Sequence, residues 1–303
     1  MKIKSMQPHR RRMGRSDRIF YSVITVVIFF LTIMVLYPII YIISASFSSS
    51  VAVTAGRVWL WPVDISLEAY KAVFKYNDIW IGYRNTILYT VFGTMVNVGM
   101  AMICAYPMAR KDLWGRNFFS FFFVFTMLFG GGMIPNYILV KNLGLLNSPL
   151  SMIIPGAMSV YNMIVARNFI QNNIPGELLE SAKIDGCNDF QFFFRVVLPL
   201  SKAILAVLTL WHAVGHWNSY FSAFLYLTDK NLYPLQIFLK EILVQSNVNT
   251  EVIGDVADAL QMQNLKQLLK YAVIVVSTVP LFALYPFVQK YFVKGVTIGS
   301  VKG

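Results

Sequence analysis

Charged residues are scarce in this sequence. Only 13% of its 303 residues are Asp, Glu, Lys or Arg, whereas an ordinary soluble domain holds about a quarter. Hydrophobic residues make up 57% of the chain, and its mean hydropathy is +0.58. So few charges cannot cover the surface of a soluble domain of this size. The composition therefore predicts an integral membrane protein.

Cysteines and nucleotide-binding loops are also lacking. The chain has two cysteines, Cys104 in an apolar segment and Cys187 in a polar one, which are too few for a disulfide framework and are interpreted as packing residues. No G-x-x-x-x-G-K-[ST] motif occurs, so ATP binding by a P-loop is not expected. Reactive side chains do not cluster in a way that indicates nucleophilic catalysis. The sequence therefore predicts a chain that is not an enzyme and that has no cofactor or metal ion of its own.

Six apolar segments are long enough to cross a bilayer. They cover residues 19–47, 85–109, 118–140, 148–165, 202–228 and 271–289. The sequence therefore predicts an all-α integral membrane protein with six transmembrane helices. The membrane domain would occupy residues 19–292, between a basic N-terminal tail of residues 1–18 and a C-terminal tail of residues 293–303.

Local features refine this prediction. The first segment is too long for the apolar region of a cleaved signal peptide, so we expect it to stay as a transmembrane helix with a kink at Pro38. Three consecutive glycines, Gly130–Gly132, predict a break at the outer end of the third segment. Amphipathic helices are expected in two outer loops, near residues 66–74 and 235–242.

Acidic side chains are missing from the middle of all six segments. Ion-coupled transporters usually carry an ionisable group at membrane depth, so a proton or sodium symporter that works by itself is disfavoured. If this chain takes part in uphill transport, another chain must supply the energy.

The distribution of basic residues predicts the orientation. Six spans put both termini on one side, and 17 of the 26 Lys and Arg residues fall in the segments on that side. Such residues accumulate on the cytoplasmic side of membrane proteins. We therefore expect a multi-pass protein of a bacterial cytoplasmic membrane with both termini in the cytoplasm. The formal charge of +12 then reflects this orientation, and no nucleic-acid partner is expected.

One polar stretch between the fourth and fifth segments is not built of loop-type residues. Residues 175–200 are interpreted as two short helices joined by a bend, which together form a hairpin on the cytoplasmic side. Pro175 suits the first turn of a helix, where its missing N–H would be unpaired anyway. Asp185-Gly186 breaks the run, because Gly reaches backbone angles that other residues resist. A second helix is expected near residues 188–197.

The spacing within this hairpin resembles a known motif: E-A-A, three residues, G, nine residues, I-x-L-P. That motif marks the membrane-spanning subunits of binding-protein-dependent ABC importers. The matching positions are Glu180, Ala182, Gly186, Leu198 and Pro199. Ser181 stands in place of the middle Ala, and Val196 in place of the Ile. The resemblance covers nearly the whole chain and is closest to the carbohydrate-uptake group.

This resemblance implies a coupling role for the hairpin, which in the family docks in a cleft of a cytoplasmic ATPase subunit. The residues expected to take part are Glu180, Ser181, Ala182, Asp185, Gly186, Leu198 and Pro199. Glu180 would offer a carboxylate to the ATPase, Ala182 would allow close approach, and Gly186 would permit the bend. Leu198-Pro199 would redirect the chain into the fifth segment.

The resemblance also implies partners. These are a second permease subunit, forming a heterodimer by family habit, two cytoplasmic ATPase subunits that bind ATP, an extracytoplasmic solute-binding protein, a sugar substrate and membrane lipid. The last residues, YFVKGVTIGSVKG, are similar to the ending of one of the two permease types. In that type the tail can reach the ATPase dimer interface, and a frayed basic tail is the alternative interpretation.

Polar residues within the spans concentrate in the fifth segment, over residues 211–220. His212 and His216 lie four residues apart and share a helix face. Three interpretations are open, namely a metal site, interhelical hydrogen bonds and a polar path for a sugar. This run resembles the W-N-x-Y-F pattern of carbohydrate permeases, which favours the path. The expected path residues are His216, Trp217, Asn218 and Tyr220.

The combined interpretation is a permease subunit of an ATP-driven sugar importer. Similarity of residues 129–148 and the tail to permeases for oligosaccharides or modified sugars favours that substrate class. The alternatives are an ABC permease for a solute that is not a sugar and, from another class, an ATP-independent channel or facilitator. Copurification with an ATPase distinguishes the facilitator from both importers.

Overall fold

The computed structural model describes residues 14–245, 268–283 and 286. Within these ranges the chain is helical and contains no β-strand, so the all-α prediction is confirmed there. The α-helices are α1 (Arg15–Ser46), α2 (Ser50–Thr54), α3 (Glu68–Lys75), α4 (Asn77–Ala109), α5 (Arg116–Leu128), α6 (Met133–Asn142), α7 (Val160–Asn173), α8 (Gly176–Ile184), α9 (Asp189–Phe192), α10 (Leu198–Leu200), α11 (Lys202–Trp217), α12 (Tyr220–Tyr226), α13 (Leu235–Gln245) and α14 (Leu268–Ala283). Segments of other helical types are Pro149–Met152 and Lys230–Leu232, both 3₁₀, and Phe193–Val197, which is π-helical.

Among the residues that the structure describes, two helices are long and apolar enough to cross a membrane by themselves. α1 has 32 residues and α4 has 33, so each measures about 50 Å and exceeds the hydrocarbon core of about 30 Å. α4 begins at Asn77, earlier than the sequence indicates. The apolar stretch of α1 is fully exposed, and only its end, Ser44–Ser46, is buried. Such a large apolar surface is stable only against lipid or another protein.

The third apolar segment is not a single helix. α5 ends at Leu128, and α6 begins at Met133 with its axis turned by 109°. Gly132 has a φ of +87°, in the region that favours glycine. The break predicted at the three glycines is therefore confirmed, and it is a sharp bend that divides the segment into two helices.

The fourth apolar segment is not a continuous helix over residues 148–165. A 3₁₀ turn at Pro149–Met152 is followed by irregular turns around Pro155, which has no N–H for a helical hydrogen bond. α7 begins after Ser159, whose Oγ caps its first turn at 3.4 Å. α7 then continues to Asn173, beyond the predicted end of the span.

The fifth segment divides into α11 and α12 at Asn218-Ser219, and α14 represents the sixth. The predicted outer amphipathic helices are present as α3 and α13. By length and composition the described helices provide two spans, or up to four if two bent pairs each count as one: α5 with α6, and Asp189–Leu200 with α11. The count of six remains a prediction. Residues 1–13 and 287–303, which include most of the basic N-terminal tail and the whole C-terminal tail, lie outside the described residues.

Two of the three apolar cores in the described residues lie at the two ends of α4. The outer core joins the start of α4, around Ile79, to α13 and α14, with Phe238 at its centre. The inner core joins the second half of α4, around Met102, to Met163 of α7 and to Phe193. Between these cores the middle of α4 packs against α7 and α11. The polar residues of the site lie in this central layer.

Candidate functional site

A cavity of about 560 Å³ lies between the middle of α4, α6, the turn before α7, and α11 with α12. Asp, Glu, Lys and Arg are absent from its lining among the described residues. The lining combines neutral polar groups with aromatic and aliphatic side chains. The polar and aromatic members are Asn97, Asn136, Ser151, Trp211, His212, His216, Ser219, Ser222 and Tyr226.

Asn97 joins three elements at this cavity. Its side chain is 1% exposed. Its Nδ2 donates to the carbonyl oxygen of Gly156, in the turn before α7, and its Oδ1 lies 2.6 Å from Nε2 of His216 on α11. Because the amide nitrogen is used by a carbonyl, Oδ1 acts as the acceptor and His216 Nε2 carries the proton. One buried amide therefore fixes α4, α11 and this turn relative to each other.

Close packing at Gly93 makes this arrangement possible. Gly93 lies one helical turn before Asn97, and a Cβ atom placed on it would come within 2.4 Å of Cε1 and Nε2 of His216. The small residues of α4 indicate close helix approach from the sequence alone. At Gly93 the approaching group is the imidazole ring, so the glycine leaves room for the hydrogen bond to Asn97.

His212 makes a second interhelical contact. Nδ2 of Asn162 on α7 lies 2.9 Å from His212 Nε2, so the amide donates and this ring nitrogen accepts. The two histidines thus bond separate asparagines on different helices, as the hydrogen-bonding interpretation expects. In the described part of the chain, no group of three or more His, Cys, Asp or Glu residues is arranged so that it could hold a metal ion. Both rings also line the cavity, so their role in a sugar path stays a prediction.

The other three residues proposed for the path lie elsewhere. Trp217 is 4% exposed, and its Nε1 donates to the Ser277 carbonyl on α14 at 3.0 Å, so it belongs to the outer core. Asn218 and Tyr220 contact α13 instead of the cavity. Of the four, His216 is the one that the structure brings to the cavity lining.

The lining is suited to a ligand with many hydroxyl groups. Side-chain amides and imidazoles can donate to or accept from hydroxyls, and the rings of Trp211 and Tyr226 offer apolar faces to the C–H surfaces of a sugar. These groups come from several helices, so a change in helix packing alters the shape of the cavity.

Between α7 and α11, residues 175–200 form two helical stretches joined by a turn; we keep the name hairpin for this segment, and its coupling role stays a prediction. Its first helix, α8, starts after Pro175 and has no buried residue. Glu180 and Ser181 are exposed, whereas Ala182 is partly covered by the inner core. The hairpin therefore projects from the helical body and keeps one face in contact with it.

The bend of the hairpin lies at Asp185-Gly186, as predicted. Asp185 ends α8, and Gly186 has a φ of +77°. A Cβ atom on Gly186 would meet nothing within 4 Å, so glycine is favoured by the backbone conformation and not by lack of space. Asn188 then opens α9 with a capping box, in which its side chain accepts from the Gln191 N–H at 2.9 Å.

The second half of the hairpin is longer than predicted. Helical structure continues from Asp189 to Leu200 and includes the π-helical turn Phe193–Val197. The chain then turns by 80° into α11. Leu198 and Pro199 thus lie in the last helical turn and not at the bend. Proline is tolerated there because it occupies the first turn of a new helical segment.

A charged cluster ties the hairpin to the end of α4. Nε of Arg110 donates to Asp112 Oδ1 at 2.8 Å, and its other guanidinium nitrogens bond the second oxygen of Asp112 and Oδ1 of Asp189. Lys183 Nζ lies 3.8 Å from Asp112 Oδ2. The hydrogen bonds from Arg110 lower the pKa of Asp112 to about 2. The cluster connects the loop after α4 to both halves of the hairpin.

Sequence patterns did not identify Asn97, Asn162 or the pairing of Arg110. The two asparagines could have been identified from the sequence, because a side-chain amide within an apolar helix is costly unless it is hydrogen-bonded. Each of them therefore predicts a hydrogen-bond partner on another element. Arg110 and Asp189 are 79 residues apart in the chain. No local pattern indicates that these two residues meet.

Comparisons with known proteins give matches that cover most of the chain. Residues 79–298 match the family described as "Binding-protein-dependent transport system inner membrane component". The polygalacturonan/rhamnogalacturonan transport system permease protein YtcP of Bacillus subtilis is 41% identical over 288 residues, which cover 95% of this chain and 99% of that protein. Protein LplC of Bacillus subtilis is 42% identical over 269 residues, covering 88% and 89% of the two chains.

A solved structure is similar in both sequence and fold. The crystal structure of a bacterial ABC transporter involved in the import of the acidic polysaccharide alginate contains a chain that is 40% identical to this one. It superposes with a TM-score of 0.84 over 93% of this chain and 99% of that chain.

Proposed function

The chain belongs to the family of inner membrane components of binding-protein-dependent transport systems, and from that premise we propose that it is one of two permease subunits of an ATP-driven sugar importer. The permease is not catalytic, and two cytoplasmic partner subunits bind and hydrolyse ATP. A soluble binding protein delivers the sugar at the outer face of the membrane.

The cavity beside Asn97 carries the proposal. It is a polar space among apolar helices, and its described lining holds amides, hydroxyls, imidazoles and aromatic rings without a charged side chain. Neutral groups of this kind recognise sugar hydroxyls, and they do so without holding a charge inside the membrane. The second permease subunit supplies the other half of the pathway.

The substrate is an oligosaccharide or a modified sugar. Support comes from two relatives: YtcP is named for the transport of polygalacturonan and rhamnogalacturonan, and the solved transporter takes part in the import of alginate. This chain is about 40% identical to each and matches nearly their whole length.

The hairpin of residues 175–200 is the contact with an ATPase subunit. Its exposure supports this role, because α8 has no buried residue and includes apolar Ile184 at 87% exposure. Glu180 and Ser181 present polar groups to the ATPase subunit, and the bend at Asp185-Gly186 determines the shape of the exposed end of the hairpin. When ATP closes the ATPase dimer, the hairpins move, and the pathway switches between a state open to the outside and a state open to the cytoplasm.

The orientation follows from this contact. ATP is in the cytoplasm, so the hairpin and both termini face the cytoplasm of a bacterial cell, and the loops at the start of α4 and before α13 face outward. The basic residues of the N-terminal tail and of the loop after α4 then lie at the cytoplasmic surface.

Copurification tests the proposal. The chain is expressed with its partner permease and ATPase subunits, and the double variant Glu180→Lys, Gly186→Asp is compared with the wild type. The matched control, Glu68→Lys, reverses a charge on α3 at the outer face. We expect the ATPase to remain with the wild type and the control and to be lost from the hairpin variant. If folded, paired permeases retain no ATPase in any form, the importer is refuted and a facilitator is supported.

A further inference from the structure

We infer that Arg110 is a positioning residue, which fastens the hairpin to α4 and so carries hairpin movement to the cavity. The inference rests on the proposed function, because it requires the ATPase subunits to move the hairpin. Arg110 directly follows the last residue of α4, and Asp189 begins the second helix of the hairpin. The ion pair between them is therefore a direct link from the hairpin to a helix of the cavity wall.

Contacts with neighbouring residues hold the Arg110 side chain in one conformation. The side chain is 16% exposed although it is charged. Its guanidinium bonds both oxygens of Asp112 and one of Asp189, and its carbon Cζ lies 5.9 Å from the centre of the Tyr106 ring. A planar guanidinium fixes several donors at once, which the single ammonium of lysine cannot do.

The contact between hairpin and α4 has a second, apolar part. The ring of Tyr106 lies 6.3 Å from that of Phe192 and 5.4 Å from that of Phe193. These rings stay packed when the ion pair is removed, so the hairpin keeps its place in the fold. The ion pair fixes the orientation of the hairpin relative to α4, because hydrogen bonds depend on angle whereas apolar packing does not. Loss of Arg110 is therefore expected to loosen the hairpin without detaching it.

α4 connects the ion pair to the cavity. Asn97 lies on α4 thirteen residues before Arg110, which is about 20 Å along the helix axis. Asn97 in turn bonds His216 and the turn before α7. The helix has one weak point between the two residues, Pro107, which lacks an N–H. Arg110 contacts Tyr106 on the other side of Pro107, and this contact stiffens the end of the helix. A displacement of Arg110 is therefore transmitted along α4 to Asn97.

The test is the number of sugar molecules taken up per ATP hydrolysed, in proteoliposomes that contain both permeases and the ATPase subunits. Arg110→Gln and Asp189→Asn each remove one side of the ion pair. We expect the ATPase subunits to stay bound and the uptake per ATP to fall at least about fivefold, the lower end of typical coupling between sites. The double variant falls no further than the stronger single variant, because both remove the same contact. Arg110→Lys recovers part of the ratio.

Lys111→Gln is the matched control, because it removes the same charge from the neighbouring position, whose side chain is exposed. An unchanged ratio in Arg110→Gln and Asp189→Asn overturns the inference, and so does an equal fall in Lys111→Gln. If Arg110→Gln does not assemble, Asp189→Asn decides alone, since that carboxylate is 58% exposed and its loss is tolerated by the fold. Absence of ATPase from the wild-type complex refutes the proposed function together with this inference, whereas bound ATPase with an unchanged ratio refutes the inference alone.

Discussion

Replacing Gly93 by alanine tests the geometry at the cavity directly. The added Cβ would lie 2.4 Å from two atoms of the His216 ring, closer than any van der Waals contact allows. The ring is the far part of a side chain, so it can move, but moving breaks its 2.6 Å hydrogen bond to Asn97. The substitution therefore removes one specific interhelical bond while adding a single methyl group.

The magnitude follows from three opposing contributions. Overpacking a filled site costs about 1–3 kcal/mol. Leaving the buried Oδ1 of Asn97 without a donor costs about 1–3 kcal/mol. Alanine favours the helix over glycine by about 1 kcal/mol. The expected net destabilisation of Gly93→Ala is therefore about 1–5 kcal/mol, and sugar uptake should fall because the cavity wall is displaced.

The assay combines the melting temperature of the purified complex with uptake into proteoliposomes. Gly99→Ala is the matched control, since it lies on the same helix and a Cβ there meets, among the described residues outside its own stretch of helix, no atom within 4 Å. We expect a melting temperature lowered by several degrees and reduced uptake for Gly93→Ala, and neither change for Gly99→Ala.

A second variant separates the clash from a general effect on the helix. Gly93→Ala combined with His216→Ala removes the ring that the new methyl group strikes. This double variant should recover part of the stability lost in Gly93→Ala, but it should not recover uptake. Wild-type stability and uptake in Gly93→Ala would refute the reasoning. So would a double variant that is less stable than Gly93→Ala.

Three further predictions follow from the hairpin, the outer core and the charged cluster. Gly186→Asn should retain more uptake than Gly186→Val, because asparagine enters the left-handed backbone region more easily than a β-branched residue does. Gly176→Val, at an open helical position, is the control. Equal uptake by the two Gly186 variants would contradict the backbone argument. Trp217→Phe should lower stability by about 1–3 kcal/mol through the lost hydrogen bond and leave KM for the sugar unchanged, whereas a shifted KM at unchanged stability would assign this residue to the path. Asp112 has a pKa lowered from 3.8 to about 2, so its stabilising contribution is complete above about pH 4 and is lost as the pH falls toward 2. The difference in melting temperature between Asp112→Asn and wild type should accordingly be the same at about pH 5 and about pH 8, and a difference that grows between these values would contradict the assignment.

Sequence reasoning located the helices that depend on composition and local signals. α1 and α4 follow from long apolar runs, the bend at Gly130–Gly132 from three glycines, and the turn at Asp185-Gly186 from one glycine with a preceding acid. Each of these signals acts within a few residues of the structure that it predicts. That is why the first half of the hairpin was correct to within about two residues.

Boundaries that depend on tertiary structure were less accurate. Residues 148–165 are apolar enough for a span, yet Pro155 and the cap at Ser159 divide them. Helical structure continues past Val197 to Leu200, with Pro199 in the first turn of the last helical segment, and the sequence gives no sign of the π-helical turn at Phe193–Val197 that precedes it. At the cavity, His216 was found from the run of polar residues in the fifth segment, but Asn97 was not. Its role depends on partners that lie 59 and 119 residues away in the chain.

The bend between α5 and α6 also limits how this part of the chain can cross a bilayer. α5 has 13 residues and rises about 20 Å, some two thirds of a hydrocarbon core of about 30 Å. α5 alone is therefore too short to span such a core. The chain then turns by 109° into α6, whose Asn136 and Leu139 line the cavity. The bend that ends α5 early thus brings a polar side chain to the same space as Asn97 and His216.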